Sequence, residues 1–180
     1  FWTNTPLPSI SVSDSHFQNI KGNDWSGPPE GLTFQRTIRA LEQYGHHAEL
    51  LMIGSALKHS LSASMRYPQQ IDPFTSVPDG GSDCYGPMLL SMLEYSAMTT
   101  GIVVRPHLSA LYWSSAGTSE GPSTAPAFTF TQVLGSNTYR LQGFGNGTFW
   151  GERNGRALFR CTGNTRVITD VAGTVTSVVG

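Results

Sequence analysis

The stretch that decides the fold is Gly86-Pro87-Met88-Leu89-Leu90-Ser91-Met92-Leu93-Glu94-Tyr95-Ser96-Ala97-Met98-Thr99-Thr100-Gly101. Pro87 lacks an amide hydrogen and has a preset φ, so it suits the first turn of a helix. The residues behind it, Met88, Leu89, Leu90, Met92, Leu93, Tyr95, Ala97 and Met98, are apolar nearly all the way round, and such a helix is expected to be buried on most sides. Gly101 ends it, and beyond Gly101 the pattern changes from helical spacing to short runs broken by turn residues.

On the C-terminal side, Leu111-Tyr112-Trp113 precedes a Gly/Ser/Pro loop over 114–126. Short runs then follow one another: Phe128–Leu134, Thr138–Gln142, Thr148–Gly151, Arg156–Thr162, Thr165–Thr169 and Thr174–Val179. Between them stand Gly135-Ser136-Asn137, Gly143, Asn154-Gly155, Gly163-Asn164 and Gly173. Short strands joined by tight turns predict an antiparallel meander or small sandwich, and Asn154-Gly155 is the strongest hairpin signal. Residues 101–180 are therefore expected to form an all-β module.

On the N-terminal side the helical grammar continues. Phe34, Ile38, Leu41 and Tyr44 recur at spacings of three and four after Leu32, and Gly45 is a natural terminator. Leu50, Leu51, Ile53, Ala56, Leu57 and Leu61 give a second helix from about His47 to Ser62. The tight junction at Gly45 makes the two an αα-hairpin. Residues 65–86 read as a long polar loop, because Pro68, Pro73, Pro78, Gly80, Gly81 and Gly86 oppose regular structure. Residues 1–31 read as loop, with a short helical turn after Ser13. Residues 1–100 are thus a helical segment, and three helices with so apolar a member are expected to need cover from a further segment or subunit.

Composition narrows the class. The 180 residues carry 11 basic and 12 acidic side chains, which argues against a nucleic-acid surface. No apolar run is long enough to span a membrane. The beginning, Phe1-Trp2-Thr3, has no initiator Met and no signal-peptide pattern, and reads as processed or truncated. Lys21 and Lys58 are the only lysines beside 20 glycines and 11 prolines, a balance that leans towards a secreted protein. The sequon Asn146-Gly147-Thr148 is consistent with that. Cys84 and Cys161 either pair across the two segments or remain free and buried.

Several short motifs follow one another in the helical segment. They are Trp25-Ser26-Gly27-Pro28-Pro29-Glu30-Gly31-Leu32, the Leu41…Tyr44-Gly45 helix end, Ala48-Glu49-Leu50, Gln70-Ile71-Asp72-Pro73-Phe74-Thr75 and Asp83-Cys84-Tyr85-Gly86-Pro87. In this order and spacing, residues 20–100 resemble the last part of an (α/α)6-toroid glycoside hydrolase. The superfamily is the one that contains processing α-glucosidase, trehalase and mannosylglycerate hydrolase-like enzymes. Its members carry a Trp-x-Gly-Pro-x-Trp segment before a helix, then an acidic Glu-x-Tyr-Asp/Asn-Pro-x-Thr-Gly loop and another toroid helix. The resemblance implies a mixed fold, a helical hairpin segment of an (α/α)6 toroid followed by an antiparallel β-sandwich-like module. It also implies a carbohydrate substrate, inversion at the anomeric carbon, no cofactor, and an N-terminal toroid portion as same-chain remainder or separate subunit. Inversion needs a carboxylic acid and a carboxylate about 6.5–9.5 Å apart, with room for water between sugar and base.

The sequence departs from that pattern where it matters most. Counting back from Pro73, the base position of the family falls on Gln69, whose amide cannot take a proton, and the closing Trp of the first motif is replaced by Glu30. Either the base has moved to Glu30, Asp72, Asp79 or Asp83, or this branch keeps sugar binding without hydrolysis, or the register of the loop shifts. Each candidate also has a plain structural reading. Glu30 is a catalytic or hydroxyl-binding carboxylate, or a first-turn acid beside a helix N-terminus. Trp25 is a stacking platform or a loop anchor; Gln69 and Gln70 bind sugar hydroxyls or tie down their own loop. Asp72 before Pro73 binds substrate or shapes a turn. Asp79 and Asp83 are the remaining catalytic candidates, and Tyr85, like Tyr67, lines a pocket or packs.

Other chemistries find less support. Asp72, Asp79 and Asp83 lack the spacing of a calcium loop, and His46-His47 with His59 does not form a metal cluster; surface exposure is the expected fate of the histidine pair. Gly80-Gly81-Ser82 lacks the context of a phosphate loop, and no Gly-x-Ser-x-Gly elbow is present. A polysaccharide lyase would need arginines to neutralise a uronate, and Arg36, Arg39 and Arg66 are not clustered in sequence. In the β module, Tyr112, Trp113, Phe128, Phe130, Phe144, Phe149 and Trp150 form either a sugar-binding face or one side of a sheet core.

Overall fold

The computed structural model describes residues 2–22, 25–79, 83–115, 126–163 and 165–179. The chain has a mixed fold, with N-terminal helices followed by antiparallel sheets. It divides into two compact units, Phe1–Ser96 and Ala97–Gly180.

In the first unit, α1 (Gly31–Gln43) and α2 (His47–Ser64) are joined by Tyr44, Gly45 and His46. Gly45 takes φ +75°, the left-handed conformation that stops α1 and is open to glycine without steric cost. Phe34 and Ile38 of α1 are fully buried, as are Leu50 and Leu57 of α2. Tyr95 packs its ring edge-on to Phe34 at 6.3 Å. Burial of each such side chain stabilises the unit by about 1.5–3 kcal/mol. Tyr44, counted with the apolar stripe in the sequence, lies past the end of α1 and is exposed.

The loop over 65–86 contains more order than its prolines and glycines suggest. Two two-residue strands, β1 (Gln70–Ile71) and β2 (Pro78–Asp79), pair antiparallel within it. Glu30 bridges to Gln70 and Pro29 to Pro8, which extends this small ladder on its other side. The segment after Ser13 forms hydrogen-bonded turns rather than helix, with Asp14 N bonded to Ser11 O and Phe17 N to Asp14 O.

A third helix, α3 (Gly86–Thr99), starts in the first unit and ends in the second. Tyr85 supplies the first acceptors, its carbonyl taking the N–H groups of Met88 and Leu89. Met88, Ser91, Tyr95 and Met98 lie on the buried side. Leu89, Leu90 and Leu93 are exposed, so the helix is not covered all round as its composition predicted.

The second unit carries two four-stranded antiparallel sheets. One has the order β10-β9-β4-β3 and is built from β3 (Thr100–Arg105), β4 (Ala110–Ser115), β9 (Thr165–Asp170) and β10 (Val175–Val179). The other is a meander of β5 (Pro126–Leu134), β6 (Asn137–Phe144), β7 (Thr148–Arg153) and β8 (Arg156–Thr162). Asn154 and Gly155 take φ of +52° and +77°, the paired left-handed geometry of a two-residue hairpin turn. Ile102, Leu111, Trp113 and Val167 of the first sheet and Tyr139, Leu141 and Phe149 of the second share one buried cluster. The loop expected over 114–126 falls mostly on residues 116–125, which lie outside the described residues, and Ser114 and Ser115 belong to β4.

Candidate functional site

The motif residues of the first unit converge on the small ladder. Glu30 sits just before α1 in extended conformation, with φ −120° and ψ 151°, which lets it act as a strand residue. Gly31 N donates to Gln69 O at 3.4 Å and Ile71 N to Pro29 O at 3.2 Å. These two bonds bracket the Glu30–Gln70 pair and place it among the cross-strand pairs whose side chains lie closest. Gln70 Nε2 accordingly donates to Glu30 Oε1 at 2.7 Å. Both residues are almost wholly shielded from solvent, at 0% and 1% exposure.

The register then pairs Gln70 with Asp79 on the following strand. Directly opposed residues of an antiparallel pair share a face, so Glu30, Gln70 and Asp79 form one rung, carboxyl, amide and carboxyl. Two cross-strand steps separate the Cβ atoms of the two acids by about 9–11 Å. Asp79 is the accessible end, with 13% of its side chain exposed, and Lys21 Nζ lies 3.9 Å from its Oδ1. Nothing in the sequence pattern tied Lys21 to Asp79, because the pair depends on the fold of the N-terminal segment.

The other candidates are placed differently. Asp72 Oδ1 accepts the N–H groups of Phe74 at 2.9 Å and Thr75 at 2.8 Å, and its Oδ2 accepts Asn19 Nδ2 at 2.8 Å. Partial burial pushes its carboxyl up, but the Thr75 amide, the Asn19 side chain and the Phe74 amide outweigh it and hold the group below the ordinary carboxylate range. Asp72 is a turn former. Asp83 lies outside the rung, exposed and paired with the Arg66 guanidinium. Gln69 precedes β1 and gives its backbone carbonyl to Gly31. Tyr85 is half-buried and opens α3, and its N–H donates to Tyr67 O at 2.7 Å. Trp25 is 48% exposed and holds φ +67°, a conformation that costs a bulky residue about 1–3 kcal/mol.

A cleft of about 310 Å³ in the same unit is lined by His59, Ser60, Ser64, Thr75, Ser76, Val77 and Pro78, the last adjoining Asp79. Thr5 Oγ1 is hydrogen-bonded to Ser60 Oγ at 2.8 Å and to Ser76 Oγ at 3.0 Å, so hydroxyls from three distant segments meet there. This cleft is not legible in the sequence, since isolated serines carry no spacing signal. His47, expected at the surface, is buried at the start of α2, whereas His46 is exposed with Nδ1 3.5 Å from Glu49 Oε1. Neither Cys84 nor Cys161 forms a disulfide, and Cys84 is exposed rather than buried. Among the described residues no group of three or more His, Cys, Asp or Glu could hold a metal ion. Among them, too, no helix is long and apolar enough to cross a membrane. Gly80-Gly81-Ser82 lies outside the described residues.

In the second unit the aromatic residues divide between two faces. Trp113 and Phe149 are buried, and Trp113 Nε1 donates to Thr169 Oγ1 at 2.9 Å. Phe144 and Trp150 sit on the outer face of the meander, their rings 5.0 Å apart and edge-to-face. Comparisons with protein-family models, with curated proteins and with solved structures find no match for this chain.

Proposed function

We propose that the first unit is one wall of a carbohydrate site of the glycoside hydrolase class, of the toroid type its motifs resemble. In this reading the two four-stranded sheets form the appended sandwich-like module, and the protein works outside the cytoplasm. The Glu30–Gln70–Asp79 rung carries the proposal, because it fixes Asp79 as a partly accessible carboxyl at the end of a buried, hydrogen-bonded ladder. Within the rung the roles differ. Glu30 is sealed and holds the ladder, whereas Asp79 keeps an accessible edge beside the Lys21 cation and is the candidate base. Trp25 presents an exposed indole on which the apolar face of a sugar ring can stack. The opposing acid comes from the portion that covers the exposed Leu89, Leu90 and Leu93 face of α3.

A second reading, sugar binding without hydrolysis, draws on the amide at Gln69, on the Arg66 pairing of Asp83 and on the turn role of Asp72. Saturation-transfer NMR of the full chain against α- and β-linked di- and trisaccharides tests both. Binding that falls at least about tenfold, roughly 1.4 kcal/mol, in Trp25→Ala supports the shared carbohydrate reading, and no transfer to any sugar sinks it. With the covering portion present, release of an inverted anomer that disappears in Asp79→Asn supports hydrolysis; binding with no product favours the silent form.

A further inference from the structure

We propose that Asn146 is an N-glycosylation site whose first sugar rests on Phe144 and Trp150. The inference concerns the second unit and stands independently of the carbohydrate reading of the first. Asn146-Gly147-Thr148 is the chain's single N-glycosylation sequon, and it occupies the turn between β6 and β7. The loop has three residues, Gly145, Asn146 and Gly147. Gly147 N donates to Phe144 O at 3.0 Å and Gly147 takes φ +76°, the left-handed third position common in three-residue hairpin loops. Asn146 is exposed, and its Oδ1 accepts the Thr148 N–H at 3.0 Å. Its Nδ2, the atom that is modified, has no hydrogen bond among the described residues.

What lies beside the turn makes the site more than a sequence match. Phe144, two residues before Asn146, meets Trp150 edge-on, and Trp150 is 38% exposed. Trp150 stands in a cross-strand rung with Thr129, Gln142 and Arg160. Its Nε1 donates to Gln142 Oε1 at 2.5 Å, which fixes the indole edge towards the amide. The outer face next to Asn146 therefore offers two aromatic rings bordered by a hydroxyl, an amide and a guanidinium. A pyranose carries the complementary surface, C–H groups on one face and hydroxyls round the rim.

In the transfer step the donor is a lipid diphosphate-linked oligosaccharide. A bond forms between Asn146 Nδ2 and the anomeric carbon, and the anomeric carbon–phosphate oxygen bond breaks. The lipid diphosphate leaves with the electron pair, and one amide proton passes to base, with no change of oxidation state. The first sugar then covers apolar ring surface that would otherwise face water.

The test is secretion of the full chain from an N-glycosylating eukaryotic host, followed by peptide mass spectrometry after N-glycanase release in heavy-oxygen water. The expected result is an isotope-tagged Asp at position 146 that is absent from Asn146→Gln and Thr148→Val; an unmodified Asn146 in the secreted chain overturns the proposal. Docking is read on chains trimmed to the first sugar. That sugar raises Tm by about 2–4 °C in the wild type and not in Phe144→Ala, and its protons show nuclear Overhauser effects to the Phe144 and Trp150 rings. An equal thermal gain in Phe144→Ala, or a modified Asn146 without those Overhauser contacts, overturns it; the Overhauser measurement needs no ring variant.

Discussion

Gln70 donates its side-chain amide to the Glu30 carboxylate at 2.7 Å, and neither residue meets solvent. Removing the amide leaves a buried carboxylate short of a donor. Gln70→Ala is therefore expected to destabilise the first unit by about 1–3 kcal/mol, read from urea unfolding followed by a probe in that unit. Gln70→Glu is expected to be worse at neutral pH, because it sets a third carboxyl group between the two already in the rung. Like charges raise the protonation range of such a cluster, so this variant should recover part of its loss as pH falls towards 5. A Gln70→Glu chain as stable as wild type at pH 7 would contradict the rung.

Asp72 gives the first unit an acid-sensitive loop. Its folded carboxyl lies below the ordinary value of 3.8, so its contribution is fully present above that value and is lost as pH falls through the folded range. The expected outcome is a stability profile of the 72–77 loop, followed by hydrogen exchange, that is flat at neutral pH and drops below about pH 4. Asp72→Asn should remove that acid limb while lowering stability at pH 7.

Two glycines at helix starts should respond in opposite directions. A Cβ on Gly31 would sit 2.6 Å from the Met88 backbone nitrogen, whereas one on Gly86 would meet nothing within 4 Å. Gly31→Ala is expected to cost about 1–3 kcal/mol by forcing α1 and α3 apart at their N-termini. Gly86→Ala is expected to be neutral or to gain up to about 1 kcal/mol from helix propensity. Thermal unfolding of the two variants side by side decides it.

In the second unit the indole of Trp113 depends on one hydroxyl. Thr169→Val keeps the volume but strands a buried N–H, and is expected to cost about 1–3 kcal/mol. Gly151→Ala should cost a similar amount, about 1–3 kcal/mol, because its Cβ would press to 2.4 Å on the Phe159 ring and 3.1 Å on Trp113. If either variant unfolds at the wild-type denaturant midpoint, the packing around Trp113 is not as described.

Local chemistry decided which parts of this fold could be read from the chain alone. Gly45, Asn154-Gly155 and the period of α1 and α2 act within a few residues, and they mark the helices and hairpin where the structure has them. Strand β3 is not legible in the sequence, because Thr100-Gly101-Ile102 follows a helix without a break and Gly101 there reads as a stop. The rung was only half legible. Glu30, Gln70 and Asp79 stood among the candidates, but their alignment rests on pairings across 40 residues and more, which no local period encodes. Asp83 drew attention through its charge, and its pairing with Arg66 could not be seen without the loop's path.

The passage from Thr99 to Thr100 has a practical consequence for anyone who dissects the molecule. The border between the two units falls at Ser96–Ala97, within helix α3, and the helix hands over to β3 at the next residue with no loop between. A gene cut at Ser96–Ala97 leaves both fragments with a severed helix. A dissection that respects the secondary structure would cut outside Gly86–Arg105.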